Sequence, residues 1–125
     1  MYQFLIYRLL TVSAPSPLLP LSPAVFHILL ALADGDQHGY AIMREIDTRT
    51  DGIVRVGPGM LYGSIKWLLA DGFIEDAPRR ERVDDERRRR YRLTPSGRTL
   101  LKAEAARLEA AVGLARARRV LPRKA

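Results

Sequence analysis

Apolar residues recur along the chain in stripes of helical period, and glycine and proline interrupt them at regular places. The clearest stripe is Leu61, Ile65, Leu68 and Leu69, at i, i+4, i+7 and i+8, which gathers on one helical face. Pro58 suits the first position of that helix, where its missing N–H would have had no partner. Asp71-Gly72 supplies the turn that ends it. The opposite face carries Met60, Gly63, Lys66, Trp67 and Ala70, with no acid, one cation, small residues and a large aromatic. Two readings fit such a face: a helix presented to a nucleic acid, or a core helix with an apolar outer side.

The same punctuation marks the elements before it. Ser22-Pro23 is a capping serine followed by a first-turn proline, and it opens a helix over residues 23–33. Val25, Ile28, Leu29 and Leu32 form its main stripe, with Phe26 and Leu30 on a second apolar side. Asp34-Gly35-Asp36 is a turn. The next helix covers residues 39–48, with Ile42 and Ile46 as its core pair and Arg44, Glu45 and Asp47 facing water. Thr50-Asp51-Gly52 ends it, and the apolar connection Ile53-Val54-Arg55-Val56 has the composition of a small strand. Helix, turn, helix, connection, helix is the order of a helix-turn-helix unit with the third helix in the recognition position.

Beyond Gly72 the period changes. Phe73-Ile74-Glu75-Asp76 and, after a charged loop, Arg90-Tyr91-Arg92-Leu93 follow; the last four alternate as a half-buried strand does, and two strands joined by a long loop predict a β-hairpin wing. Its loop carries Arg79, Arg80, Arg82, Arg87, Arg88, Arg89 and Arg90 against Glu81, Asp84, Asp85 and Glu86. With Arg92, eight of the 21 basic residues fall in this hairpin, more than a merely solvated face requires. Arginine's planar fork matches phosphate oxygens and can enter a minor groove. Thr94-Pro95 then starts a long helix that runs to about Val120 and stops at Pro122. Leu101, Ala105, Leu108, Val112 and Ala115 recur on it at spacings of 4, 3, 4 and 3, a seam along which two helices could approach closely. A dimerisation helix is the favoured reading and a helix folded back on its own domain the alternative. The cationic tail, with Arg116, Arg118, Arg119, Arg123 and Lys124, complements the negative helix terminus and is expected to fray.

Composition narrows the function. A chain of 125 residues suits one compact domain with an appendage. The absence of cysteine removes disulfides, thiolate metal sites and cysteine nucleophiles, and it fits a reducing cytoplasm. A net charge of +7 and a pI near 10.4 point to a polyanionic partner, a nucleic acid or an anionic surface. Residues 1–20 are apolar and then proline-punctuated. The run is too short to span a bilayer, and its charge lies inside the run and not before it, unlike a secretory signal. It is read as an extension: a disordered arm, a segment swapped onto a partner subunit, or the product of an upstream translation start.

Enzyme chemistry finds no support. His27 and His38 lack partners at ligand spacing, so no metal is assigned. Ser16, Ser22, Ser64 and Ser96 have no triad context. The Asp84-Asp85-Glu86 carboxylates sit among arginines, which lower the pKa values a general acid needs raised. Gly57-Pro58-Gly59 lacks the lysine of a phosphate-binding loop, and no cofactor is assigned.

His38-Gly39-Tyr40, Gly57-Pro58-Gly59-Met60-Leu61-Tyr62, Asp71-Gly72-Phe73-Ile74 and the arginine-rich wing leading into Tyr91-Arg92-Leu93-Thr94-Pro95-Ser96-Gly97-Arg98 occur in that order. In this the chain resembles the PadR-like transcriptional regulators over residues 21–101. The resemblance implies a winged helix-turn-helix, a homodimer formed largely through the C-terminal helix, and repression at a palindromic operator. It maps a DNA-facing role onto Tyr62, Ser64 and Lys66 and onto the wing arginines. Two positions depart from the family pattern: Trp67, where a polar or basic residue is usual, and Arg90, where an aromatic is common. Some members release DNA when a small aromatic molecule binds. The last helix here has no aromatic residue, so no effector is assigned.

The expectation is therefore a mostly α chain with a small β-hairpin wing and a long C-terminal dimerisation helix. Residues 1–20 form the extension, 21–94 the winged helix-turn-helix, and 95–125 the dimerisation helix and basic tail. The expected DNA-facing set is His38, Tyr40, Met60, Tyr62, Gly63, Ser64, Lys66, Trp67, Arg87, Arg88, Arg89 and Arg90. The expected function is a cytoplasmic, sequence-specific regulator of transcription that binds double-stranded DNA, a repressor acting as a homodimer without integral membrane association. The alternative is a basic protein- or membrane-surface module without specific DNA recognition.

Overall fold

The computed structural model describes residues 18–78 and 89–123. The expected extension up to residue 17, the loop arginines Arg79, Arg80, Arg82, Arg87 and Arg88, and Lys124 lie outside the described residues. The elements in order are α1 (Pro23–Ala31), β1 (Gln37–His38), α2 (Gly39–Arg49), α3 (Pro58–Ala70), β2 (Ile74–Asp76), β3 (Arg90–Leu93) and α4 (Pro95–Ala117).

Residues 22–101 make one unit. The Ser22 hydroxyl accepts from the Val25 N–H at 3.2 Å and Pro23 follows it, so α1 begins as its sequence dictates. Ile28, Leu29 and Leu32 meet Ile42 and Ile46 of α2, Leu61, Ile65 and Leu68 of α3, Ile74 and Tyr91 in a common core. Each such side chain contributes roughly 1.5–3 kcal/mol on burial. The sheet is antiparallel in the order β1-β3-β2, with Glu75 opposite Arg92 and Ile74 opposite Leu93.

One expected strand is absent and another takes its place. Residues 53–56 form no strand: Asp51 and Gly52 adopt φ of 52° and 76°, the Thr50 hydroxyl engages the backbone of Val54, and Ile53 is left 87% exposed. Gln37 and His38 pair instead with Tyr91 and Arg90 and add a third strand to the wing. The Gln37 side chain anchors this short strand by donating to the Ala31 carbonyl and the Glu45 carboxylate.

The junctions around α3 are closed by local chemistry. Gly72 takes φ 77°, while the Phe73 N–H returns to the Leu68 carbonyl at 2.9 Å and the Gly72 N–H to Leu69 at 3.1 Å. This left-handed cap stops the helix where Asp71-Gly72 predicts. The Thr94 hydroxyl accepts from the Gly97 N–H at 3.0 Å to cap α4, and it donates to the Gly72 carbonyl at 2.6 Å. Gly97 is needed there: a Cβ would lie 1.8 Å from the Phe73 carbonyl oxygen.

The second unit joins the chain before residue 22 to the chain after residue 101. Its centre is Glu104, only 1% exposed. The carboxylate accepts from the Leu21 N–H at 2.8 Å and is forked by the Arg107 guanidinium. The bond from Arg107, helped by the Leu21 N–H, holds the Glu104 carboxyl below its ordinary value against the opposing effect of burial. The helix ends at Ala117, short of the expected Val120. Arg119 takes φ 61°, and the N–H groups of Val120 and Leu121 both return to the Ala115 carbonyl, at 2.8 and 3.3 Å. The described part of the tail is thus a closed turn and not a frayed end, with the Arg116 guanidinium donating to the Pro122 carbonyl.

Candidate nucleic-acid interface

The site is built on α3. Gly57 precedes the helix with extended backbone and Pro58 occupies its first turn, so the entrance has no side-chain cap and both residues are exposed. Leu61, Ile65 and Leu68 turn inward at i, i+4 and i+7. That leaves Met60, 57% exposed, with Gly63, Lys66 and Ala70 facing outward, and Tyr62 beside them. Ser64 is half-buried. The outer face therefore holds one cation and no acid, and its glycine lets another surface approach the backbone.

Trp67 is half-buried, and its ring lies 6.0 Å from that of Phe73 at 51°. The aromatic that looked out of place on this face thus has a partner in the turn after α3. Leu69, expected on the inner stripe, is half-buried at the flank.

The start of α2 completes the site. His38 is its N-cap residue but makes no capping bond with its side chain. Tyr40 is exposed, and the Arg44 guanidinium lies 5.9 Å from its ring centre. Gly39 is buried beneath Tyr62: a Cβ at position 39 would sit 2.8 Å from the Tyr62 hydroxyl. The two tyrosines of the sequence motifs therefore stand at the junction of α2 and α3, because glycine makes room for one of them.

The wing contributes differently. The described wing arginines each face a carboxylate. Arg89 forks Asp76 at 2.9 and 2.8 Å and lies 5.4 Å from the Tyr91 ring centre. Arg92 meets Glu75 at 2.7 Å, across the strand pair. Both pairs are about half exposed, the setting in which ion pairs are worth roughly 0–1 kcal/mol. Arg90 reaches Asp36 at 3.1 Å in a less exposed position. Tyr91 is buried between these charges. Burial pushes its phenol above the ordinary value, with Arg89 opposing and Asp76 and Tyr62 adding. Asp36, Glu75 and Asp76 are partners the sequence did not suggest. Only Glu75 had a findable signal, since a correct strand register puts it opposite Arg92.

Of the expected dimer seam, Leu101 is buried within this single chain, Ala105 and Val112 are exposed, and Leu108 and Ala115 are half-buried. Among the described residues there is no group of three or more side chains able to hold a metal ion, and no helix long and apolar enough to cross a membrane.

Three helices followed by a hairpin define a winged helix-turn-helix protein. The family model for the PadR-like transcriptional regulators matches residues 28–103. The transcriptional regulator Rv3488 of Mycobacterium tuberculosis is 39% identical over 83 residues, which cover 66% of this chain and 73% of that one. An uncharacterised 37.1 kDa protein in transposon TN4556 of Streptomyces fradiae is 43% identical over 78 residues; these are 62% of this chain but only 21% of that protein. Bacillus subtilis PadR, solved in complex with operator DNA, superposes with a TM-score of 0.57 at 25% identity, covering 66% of this chain and 46% of its own. The chain belongs to the PadR-like family of transcriptional regulators, a family of regulators and not of enzymes.

Proposed function

We propose that this protein binds double-stranded DNA sequence-specifically and represses transcription as a homodimer on a palindromic operator. The observation that carries the reading is the acid-free outer face of α3, with Met60, Gly63 and Lys66 exposed beside Tyr62. A helix about 10–12 Å across fits a major groove about 12 Å wide. Tyr62, Ser64 and Lys66 carry the hydrogen-bonding groups assigned to base edges, and Tyr40, in the first turn of α2, is assigned to phosphate contact. The relation to Bacillus subtilis PadR, which binds operator DNA, supports this assignment.

The loop arginines Arg87 and Arg88 are assigned to phosphate contact on sequence grounds. Ala105, Leu108, Val112 and Ala115 of α4 are assigned to the contact between subunits, which would set the two α3 helices about 34 Å apart. The protein would act in the cytoplasm, where its DNA lies.

Fluorescence anisotropy with duplexes from the gene's own upstream region tests the reading, run at about 50 and about 200 mM salt with a scrambled competitor. Tight, salt-dependent binding that the scrambled duplex fails to displace is expected. Equal affinity for any duplex, or binding to anionic vesicles in preference to DNA, would replace the reading with that of a basic surface module.

A further inference from the structure

We propose that Arg90 is a positioning residue and not a phosphate contact: it ties the wing to the start of α2 and so sets where α2 and α3 meet DNA. The inference rests on the DNA-binding reading above for its consequence, but not for its geometry.

All three guanidinium nitrogens of Arg90 are engaged. Nε donates to the Asp36 carboxylate at 3.1 Å, Nη2 donates to the Asp36 carbonyl at 3.1 Å, and Nη1 lies 3.1 Å from Nε2 of His38. A guanidinium only donates, so His38 Nε2 accepts and the ring proton sits on Nδ1. The side chains of Arg90 and Asp36 are 24% and 13% exposed, against nearly half for Arg89 and Arg92. Arg90 is thus withdrawn from the surface on which its neighbours stand.

The segment it holds is short, and the Gln37 side chain ties it to Ala31 and Glu45 on the side away from Arg90. β1 is two residues long and pairs with β3 only at Gln37–Tyr91 and His38–Arg90. A ladder this short gains substantially from one more bidentate contact. His38, the N-cap of α2, makes no capping bond, and its ring is turned to Arg90 instead. One residue on, Tyr62 of α3 closes over Gly39. The first turn of α2 is therefore gripped by β3 through Arg90 and by α3 through Tyr62. Lysine, a point charge without the fork, cannot reproduce the three-way contact.

The test uses the full chain carrying Arg90→Lys, Arg90→Ala or Asp36→Asn, with DNA affinity measured across a salt series and folding checked by thermal melting. Positioning predicts that all three lower affinity about tenfold and leave the slope of log affinity against log salt unchanged. A phosphate contact predicts the opposite pattern: Arg90→Lys near wild type, and Arg90→Ala with a slope lower by about 0.9. Asp36→Asn is the sharpest arm, because removing an acid strengthens DNA binding if only long-range charge matters. Tighter binding by Asp36→Asn, or wild-type affinity in Arg90→Lys, overturns the proposal. A readout without DNA separates this from the function itself. The side-chain nitrogen NMR spectrum of His38 should show a single Nδ1-protonated tautomer in the wild type and a mixture in Arg90→Ala. A mixture already present in the wild type sinks the clamp. A single tautomer in a protein that ignores DNA sinks the function and leaves the clamp standing.

Discussion

At the root of the wing Arg89, Arg90 and Arg92 each face a carboxylate, whereas on α3 Lys66 has no ion-pair partner among the described residues and its face holds no acid. By number of cations the wing is far richer, with eight arginines against the single lysine of α3, although six acids accompany them. By available charge the order is closer, because three of its cations already answer Asp76, Asp36 and Glu75. An exposed ion pair is worth only about 0–1 kcal/mol, so Arg89 and Arg92 are lightly held, whereas Arg90 and Asp36 are the least exposed of the three pairs. The lesson extends to Glu104 and Arg107, where the same pairing at a buried site serves to hold the chain before residue 22 to α4.

The comparison breaks most readily at α3. Lys66→Glu is expected to cost about hundredfold in affinity for the specific duplex and to change the order of preference among sequences. Binding within about threefold of wild type would remove α3 from the readout. Gly39→Ala should shift stability by about 1 kcal/mol or less in a thermal melt, since the new methyl group displaces only the outer end of the exposed Tyr62 side chain.

Glu104→Gln sharpens the contrast between buried and exposed pairs. A cost of about 1–2 kcal/mol is expected at neutral pH, because Arg107 loses its carboxylate. The folded Glu104 value is lowered, so its stabilisation is present above the ordinary carboxylate range and is lost as pH falls through the lowered value. The gap between wild type and variant in melting temperature should therefore close in acid, and a gap independent of pH would assign the effect to packing. In the wing, Arg88→Ala should lower the salt slope of DNA binding by about 0.9, whereas Arg89→Ala, already paired with Asp76, should lower it by less. Equal slopes for the two variants would erase the distinction between loop and root. Smallest of all, Glu75→Gln should move stability by no more than about 0.5 kcal/mol in the same melt, as befits an exposed pair.

Much of the fold is legible because its signals are local. Ser22-Pro23, Gly57-Pro58 and Thr94-Pro95 announce helix starts, Asp71-Gly72 a stop, and the i, i+4, i+7 stripe of α3 its buried face. The misreadings are equally instructive. The strand expected at residues 53–56 satisfied composition but had no pairing edge, while Gln37 and His38, with no strand signature, had one on β3. Trp67 looked exposed on a helical wheel because the wheel does not contain Phe73. The tail looked frayed because nothing in its composition foretells Arg119 adopting a left-handed backbone conformation.

The sequence by itself determined where the helices begin and end, the hairpin, the excess of positive charge and the family. Caps, periodicity and composition act within a few residues or add over the whole chain, and both can be read from a string of letters. Which charges remain available was decided only by the tertiary structure. Arg90 and Asp36 stand 54 residues apart, and their meeting depends on a two-residue strand finding its register. An ion pair forms or fails over a few ångströms, so the difference between a clamp and a phosphate contact exists only once the chain has folded.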